Sequence, residues 1–468
     1  MNGVLTLLCL IVCAVIVLAV PGFVSPWGAE YGMANVFDSG RAVLLCVGLA
    51  ATAGLIISRQ PEGSEFLLRL FVSGLLVRMI LGTAIFVFRG QDFFGGDAFT
   101  YDFLGSAQTH AWAGDRYYWG VVNAHIGHSG GTSWGMIYLV ASIYSIIGRN
   151  ILAVQFVNAV VGAATAPIIY LCALEVFNNI RVARISALAV TFFPSLVLWS
   201  SQGLKDGPIV FFLALSIMAT LKLSRKFDVK YILILIISLF AVLSLRFYVF
   251  YMLAVAVAGT FVVGTGKLTG VNFVRQFAVI VILGLALTYV GITRYTKQLE
   301  HYTNLERIQR SRQDSATRGQ SGFAAQSDVS TTDGALSTIP IGLLYLLFAP
   351  FPWQVTSLRQ SITLPEMFIW WASFPLLILG LWFSIKYRLR QISPILIFTV
   401  MLSLAYSIFQ GNVGNAYRQR SQMLVFYFIF VAVGYVLLAE KREERKRREL
   451  EDTDPLPARI ATSPWTRR

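Results

Sequence analysis

Residues 151–174 read ILAVQFVNAVVGAATAPIIYLCAL, a run of 24 residues without a charged side chain. About 20 apolar residues are enough for a helix to cross the hydrocarbon core of a bilayer. Similar runs recur along the chain, which is 56% hydrophobic and 13% charged, with a mean hydropathy of +0.66. The runs are continuous, whereas strands of a membrane barrel alternate over about ten residues. The sequence therefore predicts an all-α polytopic membrane protein.

The net charge of +14 raises the question of a nucleic-acid partner. Lys and Arg fall in short loops between apolar runs and in the tail KREERKRREL at 441–450. This distribution is typical of cytoplasmic loops, and a basic tail can also contact anionic membrane lipid. We therefore expect no nucleic-acid partner. The four cysteines lie inside apolar runs, without the spacing of a metal site or a disulfide framework.

Hydropathy and the basic loops together predict about twelve spans with both termini in the cytoplasm. The predicted spans are 4–20, 42–57, 69–88, 151–174, 184–201, 208–223, 231–245, 248–264, 274–292, 367–385, 393–409 and 422–438. Two runs of 15 residues, 134–148 and 339–353, are too short to span. We expect an interfacial helix from the first and, because prolines interrupt it, a re-entrant hairpin from the second.

This topology divides the chain into five regions. They are an extra N-terminal pair of spans at 1–65, a membrane module at 66–292 with an external loop at 89–150, an external flexible loop with the re-entrant segment at 293–366, the C-terminal spans at 367–439, and a basic cytoplasmic tail at 440–468. The N-terminal run lacks a basic leader, and we interpret it as a retained span. The stretch 310–338 is rich in Ser, Gly, Gln and Thr, and is either a lid or a plain linker.

The first long external loop begins with an acidic and aromatic stretch, GGDAFTYDFLGSAQTHAWAGDRYYW at 95–119. At helical spacing Asp97 and Tyr101 share one face, and Asp102 lies on another. An interfacial helix would aim Asp97 into a cavity between the loop and the spans. Alternatively, Asp97 caps the helix beside the positive end of its dipole. Asp97 is thus a catalytic candidate, and Tyr101 and Asp102 are substrate-binding candidates.

Three further polar groups stand at predicted outer ends of spans. They are Lys205 with Asp206, the isolated Arg246, and Tyr417 with Arg418 and Arg420. Arg418 and Arg420 lie on the side where few basic residues are expected, so an anionic partner is expected for them. A guanidinium binds phosphate through a planar fork of donors. The alternative is a structural ion pair with Asp97 or Asp206.

The order of these features resembles that of the C-type membrane glycosyltransferases, in particular the protein O-mannosyltransferase-like and lipid A aminoarabinose transferase-like groups. A span is followed by a D-x-x-x-Y loop, a short LVASIYSIIGRN helix, two spans joined by NNIRVARISAL, and a KD pair after the second of them. The resemblance covers about 70–225, with a weaker match at 410–438. It implies a C-type glycosyltransferase fold. Asp97 and Asp206 would be the two acids of the family, and Tyr417 with Arg418 its basic segment.

The resemblance also implies a sugar donor carried on polyprenyl phosphate, in the cell membrane and used at its extracytoplasmic face. The acceptor would be a glycan, a lipid or a protein. Transfer of a hexosyl or pentosyl group requires a cation for the phosphate leaving group and a carboxylate for the acceptor proton. Arg418 and Arg420 fit the first role, with Lys205 and Arg246 as lesser candidates. Asp97 fits the second, and a single base without a covalent intermediate implies inversion.

The role of Asp206 stays open between orienting the acceptor, pairing with an arginine and holding a metal. A divalent metal ion is conceivable because Asp97, His125 and His128 also carry suitable ligand atoms, but no metal-binding spacing is present. Where relatives hold a basic residue before the short helix, this chain has the two histidines instead.

Two other classes of function remain as alternatives. A transporter or flippase is favoured by Arg69 and Arg78, which fall inside the third predicted span. A polysaccharide polymerase or O-antigen ligase is favoured by the arginines of the 293–338 loop. A transporter would place polar groups near the midplane, whereas here they cluster at the predicted outer face. Dependence of the activity on Asp97 separates these classes.

Overall fold

The computed structural model describes residues 28–31, 36–88, 96–128, 134–263, 304–318, 321–324, 326–355 and 357–453. Within these ranges the chain forms fifteen α-helices and no β-strand, apart from one isolated bridge between Gly322 and Asn412. The helices are α1 (Val36–Ser58), α2 (Ser64–Val87), α3 (Asp97–Trp112), α4 (Arg116–His128), α5 (Trp134–Ile147), α6 (Ile151–Phe177), α7 (Ile180–Phe192), α8 (Pro194–Ser200), α9 (Asp206–Arg225), α10 (Val229–Leu245), α11 (Phe247–Val263), α12 (Leu305–Arg318), α13 (Thr332–Phe348), α14 (Leu358–Phe409) and α15 (Val413–Thr453). The predicted all-α fold is confirmed.

Six of the described helices are long and apolar enough to cross a membrane, and the bent pair α7–α8 would add a seventh. The six are α1, α2, α6, α9, α14 and α15. Ten of the twelve predicted spans fall on described helices, while 4–20 and 274–292 lie outside the described residues. Two of the ten, α10 and α11, have 17 residues each. A helix of that length is about 26 Å long, slightly less than the hydrocarbon core.

The two short apolar runs form helices of their own. Helix α5 packs against α3 and α10 through a face that includes Met136, Val140 and Tyr144. Helix α13 continues through Pro340 and ends at Phe348, so this segment is one helix followed by a turn and differs from the predicted hairpin.

The polar segment that starts at residue 304 contains a helix, whereas its composition predicted a flexible loop. Helix α12 covers 305–318, and Arg312 anchors it because Nη1 donates to the carbonyl of Ile408 at 3.2 Å. Residues 321–324 then run antiparallel to 411–413, with Phe323 N donating to Gly411 O and Val413 N to Ser321 O, both at 2.9 Å. These contacts attach the segment to the junction between α14 and α15.

Helix α6 forms the centre of the bundle, with α1, α2, α7 and α9 packed around it. Its sequence is apolar on all sides, which is the pattern of a fully buried helix, and most of its side chains are buried. A Cβ on Gly162 would collide with Ser200 of α8, so a small residue is needed for this close approach.

A bend between α7 and α8 leads the chain toward the polar end of the bundle. The two helices are inclined by 55° at Phe193, immediately before Pro194. Helix α7 ends at Phe192, and Arg78 of α2 donates to the carbonyl of Thr191, one of the last carbonyls of that helix, at 3.0 Å. Arg78 also donates from Nε to Ser200 Oγ at 2.8 Å. The buried Arg78 therefore stabilises the bend. Its position inside a predicted span had favoured a transporter, but these contacts give it a structural role.

The bundle has two chemically different ends, which α9 connects. At one end, Lys222 and Arg225 of α9 pair with Glu175 of α6, and Arg181 pairs with Glu443 of α15 at 3.0 Å. The other end holds the start of α9 and the polar groups described next. We call the first the basic end and the second the acidic end.

Candidate active site

Arg418 joins two carboxylates that are far apart in the sequence. Its Nη1 lies 2.6 Å from Oδ2 of Asp97, and its Nε and Nη2 lie 2.7 and 2.6 Å from Oδ2 of Asp206. Its Cζ lies 5.6 Å from the ring centroid of Trp199, a cation–π contact. The first residues of α3 and α9 and the second turn of α15 meet at this point. The structure thus brings both predicted acids to one of the predicted arginines.

Asp206 is the buried centre of this arrangement. It is the first residue of α9, its side chain is 0% exposed, and Oδ1 lies 3.3 Å from Nη2 of Arg246. The preceding backbone is fixed because Nδ2 of Asn158 donates to the carbonyls of Gln202 and Leu204, both at 2.7 Å. A buried carboxylate requires such charged partners. Of the three roles left open for Asp206, pairing with arginine fits these contacts. We call Asp97, Asp206, Arg246 and Arg418 the ion cluster.

Asp97 forms the exposed edge of the ion cluster. Gly96, with φ of 70°, occupies the N-cap position of α3, and Asp97 is the first helical residue. The predicted role of Asp97 as the cap is therefore not seen, although its carboxylate still lies at the positive end of the helix dipole. Its side chain is 51% exposed. A carboxylate fixed by one arginine and open to solvent can accept a proton from an incoming hydroxyl.

Arg246 and Lys205 add positive charge beside Asp206. Arg246 lies between α10 and α11, and its Nη1 donates to the hydroxyl of Tyr406 at 3.4 Å. Tyr406 in turn donates to Oε1 of Gln422 at 3.0 Å. This hydrogen bond fixes the hydroxyl that contacts Arg246. Burial, together with the positive charges of Arg246 and Arg418, lowers the pKa of Lys205 to about 7. Lys205 therefore changes charge near neutral pH.

Arg420 and Tyr417 are not part of the ion cluster. Arg420 is 1% exposed, and its Nη1 donates to the carbonyls of Leu347 and Ala349 at 3.0 and 3.1 Å. The hydroxyl of Tyr417 donates to Oε2 of Glu366 at 2.7 Å. The predicted phosphate contact of Arg420 and substrate contact of Tyr417 are therefore replaced by internal contacts.

Tyr101 and Asp102 also face the protein interior. Tyr101 is 8% exposed and packs in the main apolar core. Asp102 is fully buried, accepts from the hydroxyl of Tyr144 at 2.5 Å and forms an ion pair with Arg149. Helix α3 thus carries Asp97 at the acidic end and is attached to α5 through Asp102. Tyr101 and Asp102, the two substrate-binding candidates, therefore contact the protein interior.

Several residues of the site were not singled out by the sequence. Trp199 gave no specific signal because aromatic residues are common where spans meet the membrane interface. Asn158 did give one, since an amide in the middle of an apolar run requires a partner. Tyr406 and Gln422 face each other across α14 and α15, a pairing that depends on how the two helices pack.

No metal site is evident in the part of the chain that the structure describes. Within it, no group of three or more His, Cys, Asp or Glu side chains lies close enough to hold an ion. Asp97 and Asp206 both contact Arg418, and His125 is exposed on α4. The side chain of His128 lies outside the described residues.

The comparison with known families agrees with these features. Residues 133–292 match the model of the dolichyl-phosphate-mannose-protein mannosyltransferase family. The match confirms the predicted resemblance to C-type membrane glycosyltransferases. It covers about a third of the chain and includes Lys205, Asp206 and Arg246, but not Asp97 or Arg418. No curated protein matches the chain. The fold and the match together describe a multi-pass membrane protein with a segment similar to membrane mannosyltransferases.

Proposed function

We propose that this protein is an inverting membrane glycosyltransferase that moves a sugar from a polyprenyl-phosphate donor to an acceptor hydroxyl. The observation that carries the proposal is the ion cluster, in which a half-exposed Asp97 is held by the same guanidinium as the buried Asp206. The family match supports a donor on a polyprenyl phosphate. The acceptor, a glycan, a lipid or a protein, supplies the hydroxyl.

Asp97 is the general base in this reaction. The acceptor oxygen attacks the anomeric carbon, its proton passes to the Asp97 carboxylate, and the bond from the anomeric carbon to the phosphate oxygen breaks. Asp206 is unsuited to this role, because its side chain is 0% exposed and both its oxygens face arginines. Its part is to position Arg418, which orients Asp97.

Lys205, which is partly exposed, receives the phosphate, and the buried Arg246 beside it adds positive charge while staying paired with Asp206. The ion cluster contains two carboxylates and two guanidiniums, so its charges cancel. A protonated Lys205 beside it leaves one net positive charge. A sugar–phosphate–polyprenyl diester carries one negative charge, which this surplus matches. Arg418 already directs three nitrogens at carboxylates, so we assign it to positioning and no longer to phosphate binding.

The proposed reaction takes place on the extracytoplasmic face of the cell membrane. Lys222, Arg225 and the 441–450 tail lie at the basic end of the bundle. Basic residues flank spans on the cytoplasmic side. The acidic end, with Asp97, therefore lies on the extracytoplasmic side. Lipid-linked sugars and external acceptors meet on that side.

A direct test uses the purified protein in lipid nanodiscs. It is supplied with polyprenyl-phosphate mannose, glucose or arabinose and a soluble acceptor glycan or peptide, and the product is examined by NMR. We expect transfer from at least one donor, with the anomeric configuration inverted. Transfer from none of the donors would count against the function, and retention of configuration would count against a single-base mechanism.

A further inference from the structure

A polar cavity of about 220 Å³ lies beside the ion cluster. Helix α12 forms one wall, and the first turn of α11, the first two turns of α15 and the end of α14 form the others. Two of its lining residues connect it to the cluster. Gln419 directly follows Arg418 in α15, and the ring centroid of Tyr248 lies 6.0 Å from Cζ of Arg246. A group bound in the cavity would therefore be a neighbour of any group bound at the cluster.

Hydroxyl and amide groups form most of the polar side of the cavity, and Arg307 of α12 is the one charged residue among the described residues that line it. Ser311 and Ser315 face it from successive turns of α12, and Asn415 and Gln419 face it from successive turns of α15. Gln410 also lines it and donates from Nε2 to Oε1 of Gln419 at 2.5 Å. Hydroxyls and amides both donate and accept hydrogen bonds. Sugar hydroxyls do the same, so this lining suits a sugar better than a polyprenyl chain, and the guanidinium of Arg307 adds further hydrogen-bond donors.

An aromatic wall completes the cavity. The rings of Tyr248 and Phe409 both line it and meet edge to face, with centroids 6.2 Å apart. The C–H face of a sugar ring packs on such aromatic surfaces, while its hydroxyls reach the polar side. Binding sites commonly combine an apolar wall with a few positioned polar groups in this way.

The wall contributed by α12 is fixed in place. Arg312, on the adjacent face of the helix, is 2% exposed and lies over Phe323, with 5.8 Å between Cζ and the ring centroid. Gln309 accepts a hydrogen bond from the backbone of Val329 at 2.8 Å. The polar face of α12 is therefore held over the cavity before any ligand binds, which lowers the entropy cost of binding.

We propose that this cavity is a subsite for one sugar ring of a substrate, an inference that rests on the proposed function. Its volume is below the roughly 300–1,000 Å³ typical of sites for drug-sized ligands, so it holds one ring and not an oligosaccharide. The ring comes either from the lipid-linked donor or from the acceptor. Both sources share the same chemistry, and the experiments below distinguish them.

The first test measures occupancy without relying on catalysis. A Ser311→Cys variant in nanodiscs is alkylated with a maleimide, and modification of the peptide is followed by mass spectrometry. Gln313→Cys, exposed on the same helix but outside the cavity, is the control. We expect saturating polyprenyl-phosphate mannose, glucose or arabinose to slow labelling of Ser311→Cys at least about fivefold if the donor sugar binds there. Methyl glycosides should do so if the acceptor sugar binds.

Bare polyprenyl phosphate should leave the labelling rate unchanged in both variants. Unchanged labelling of Ser311→Cys with every sugar-bearing ligand would overturn the subsite. Equal protection by the bare carrier would also overturn it, because the cavity would then respond to the lipid phosphate.

The second test fills the cavity and measures transfer. Ser311→Trp should raise KM for the donor or for the acceptor about tenfold or more, and the substrate affected identifies the source of the ring. Gln313→Trp should leave both KM values unchanged, and Gln419→Leu provides a milder loss of hydrogen bonding if the tryptophan disturbs folding. Unchanged KM values in both cavity variants would overturn the subsite while leaving the glycosyltransferase function intact. Sugar-dependent protection without transfer by the wild type would overturn the function and retain the subsite.

Discussion

Replacing Asp206 with Asn tests whether the ion cluster is organised by a buried charge. The substitution keeps the shape of the side chain but removes the negative charge that faces Arg246 and Arg418. Because the side chain is 0% exposed, water cannot replace the lost interaction. Removing one partner of a buried ion pair typically costs about 3–5 kcal/mol. We expect the free energy of unfolding to fall by about that amount.

The Asp97→Asn variant is a matched control, because Asp97 contacts the same arginine but is 51% exposed. An exposed ion pair contributes about 0–1 kcal/mol, so this variant should unfold almost like the wild type. The measurement is denaturant-induced unfolding in mixed micelles, followed by tryptophan fluorescence. Combining Asp206→Asn with Arg418→Met should recover part of the loss, because one unpaired buried charge is removed with its partner.

Two results would refute this reasoning. Wild-type stability for Asp206→Asn would mean that the carboxylate is not needed to compensate the arginines. Strictly additive losses in the double variant would mean that Asp206 and Arg418 do not stabilise each other, despite the distance of 2.6 Å between them.

Two further predictions concern neighbouring groups. Lys205, with a pKa lowered to about 7 by burial, is a cation below that pH and neutral above it. Affinity for the polyprenyl-phosphate sugar, a diester whose single charge stays constant over this range, should therefore fall severalfold from about pH 6 to about pH 8. Lys205→Arg should remove the pH dependence, since arginine stays charged; a flat wild-type profile by equilibrium binding would contradict this. Asp102→Asn should lower the free energy of unfolding by about 1–3 kcal/mol through its contacts with Tyr144 and Arg149, with near-normal transfer per folded molecule. Lost transfer at unchanged stability would instead return Asp102 to the site.

Much of the fold follows from the sequence because membrane spans leave a strong pattern. The uncharged run at 151–174 became the buried centre of the bundle, as expected of a segment apolar on all sides. The predicted spans 367–385 and 393–409 both lie in α14. The backbone of Arg388 between them is not helical (φ −136°, ψ 20°), so α14 consists of two helices joined at a kink.

The site was less predictable because it depends on helix phase. The segment 410–421 was interpreted as an external segment between spans, but α15 already begins at Val413. Residues two apart on a helix point about 200° apart. Arg418 therefore reaches Asp97 and Asp206, while Arg420 turns toward the carbonyl of Leu347. The placement of charges in the sequence indicated Arg418 and Arg420 as candidates. The residue at which α15 begins determines which of them meets the carboxylates.

The central claim, that Asp97 is the general base, is tested most directly by sugar transfer with Asp97→Asn. Asn keeps the size of the side chain but cannot accept the proton, and loss of a general base typically costs about 10²–10⁴-fold in rate. Asp115→Asn, an exposed aspartate in the same region that only caps α4, is the control and should keep wild-type turnover. We expect Asp97→Asn to lose at least about a hundredfold in turnover while its unfolding stays close to that of the wild type. Near-normal turnover, or a loss that follows unfolding, would contradict the role of Asp97 in the reaction.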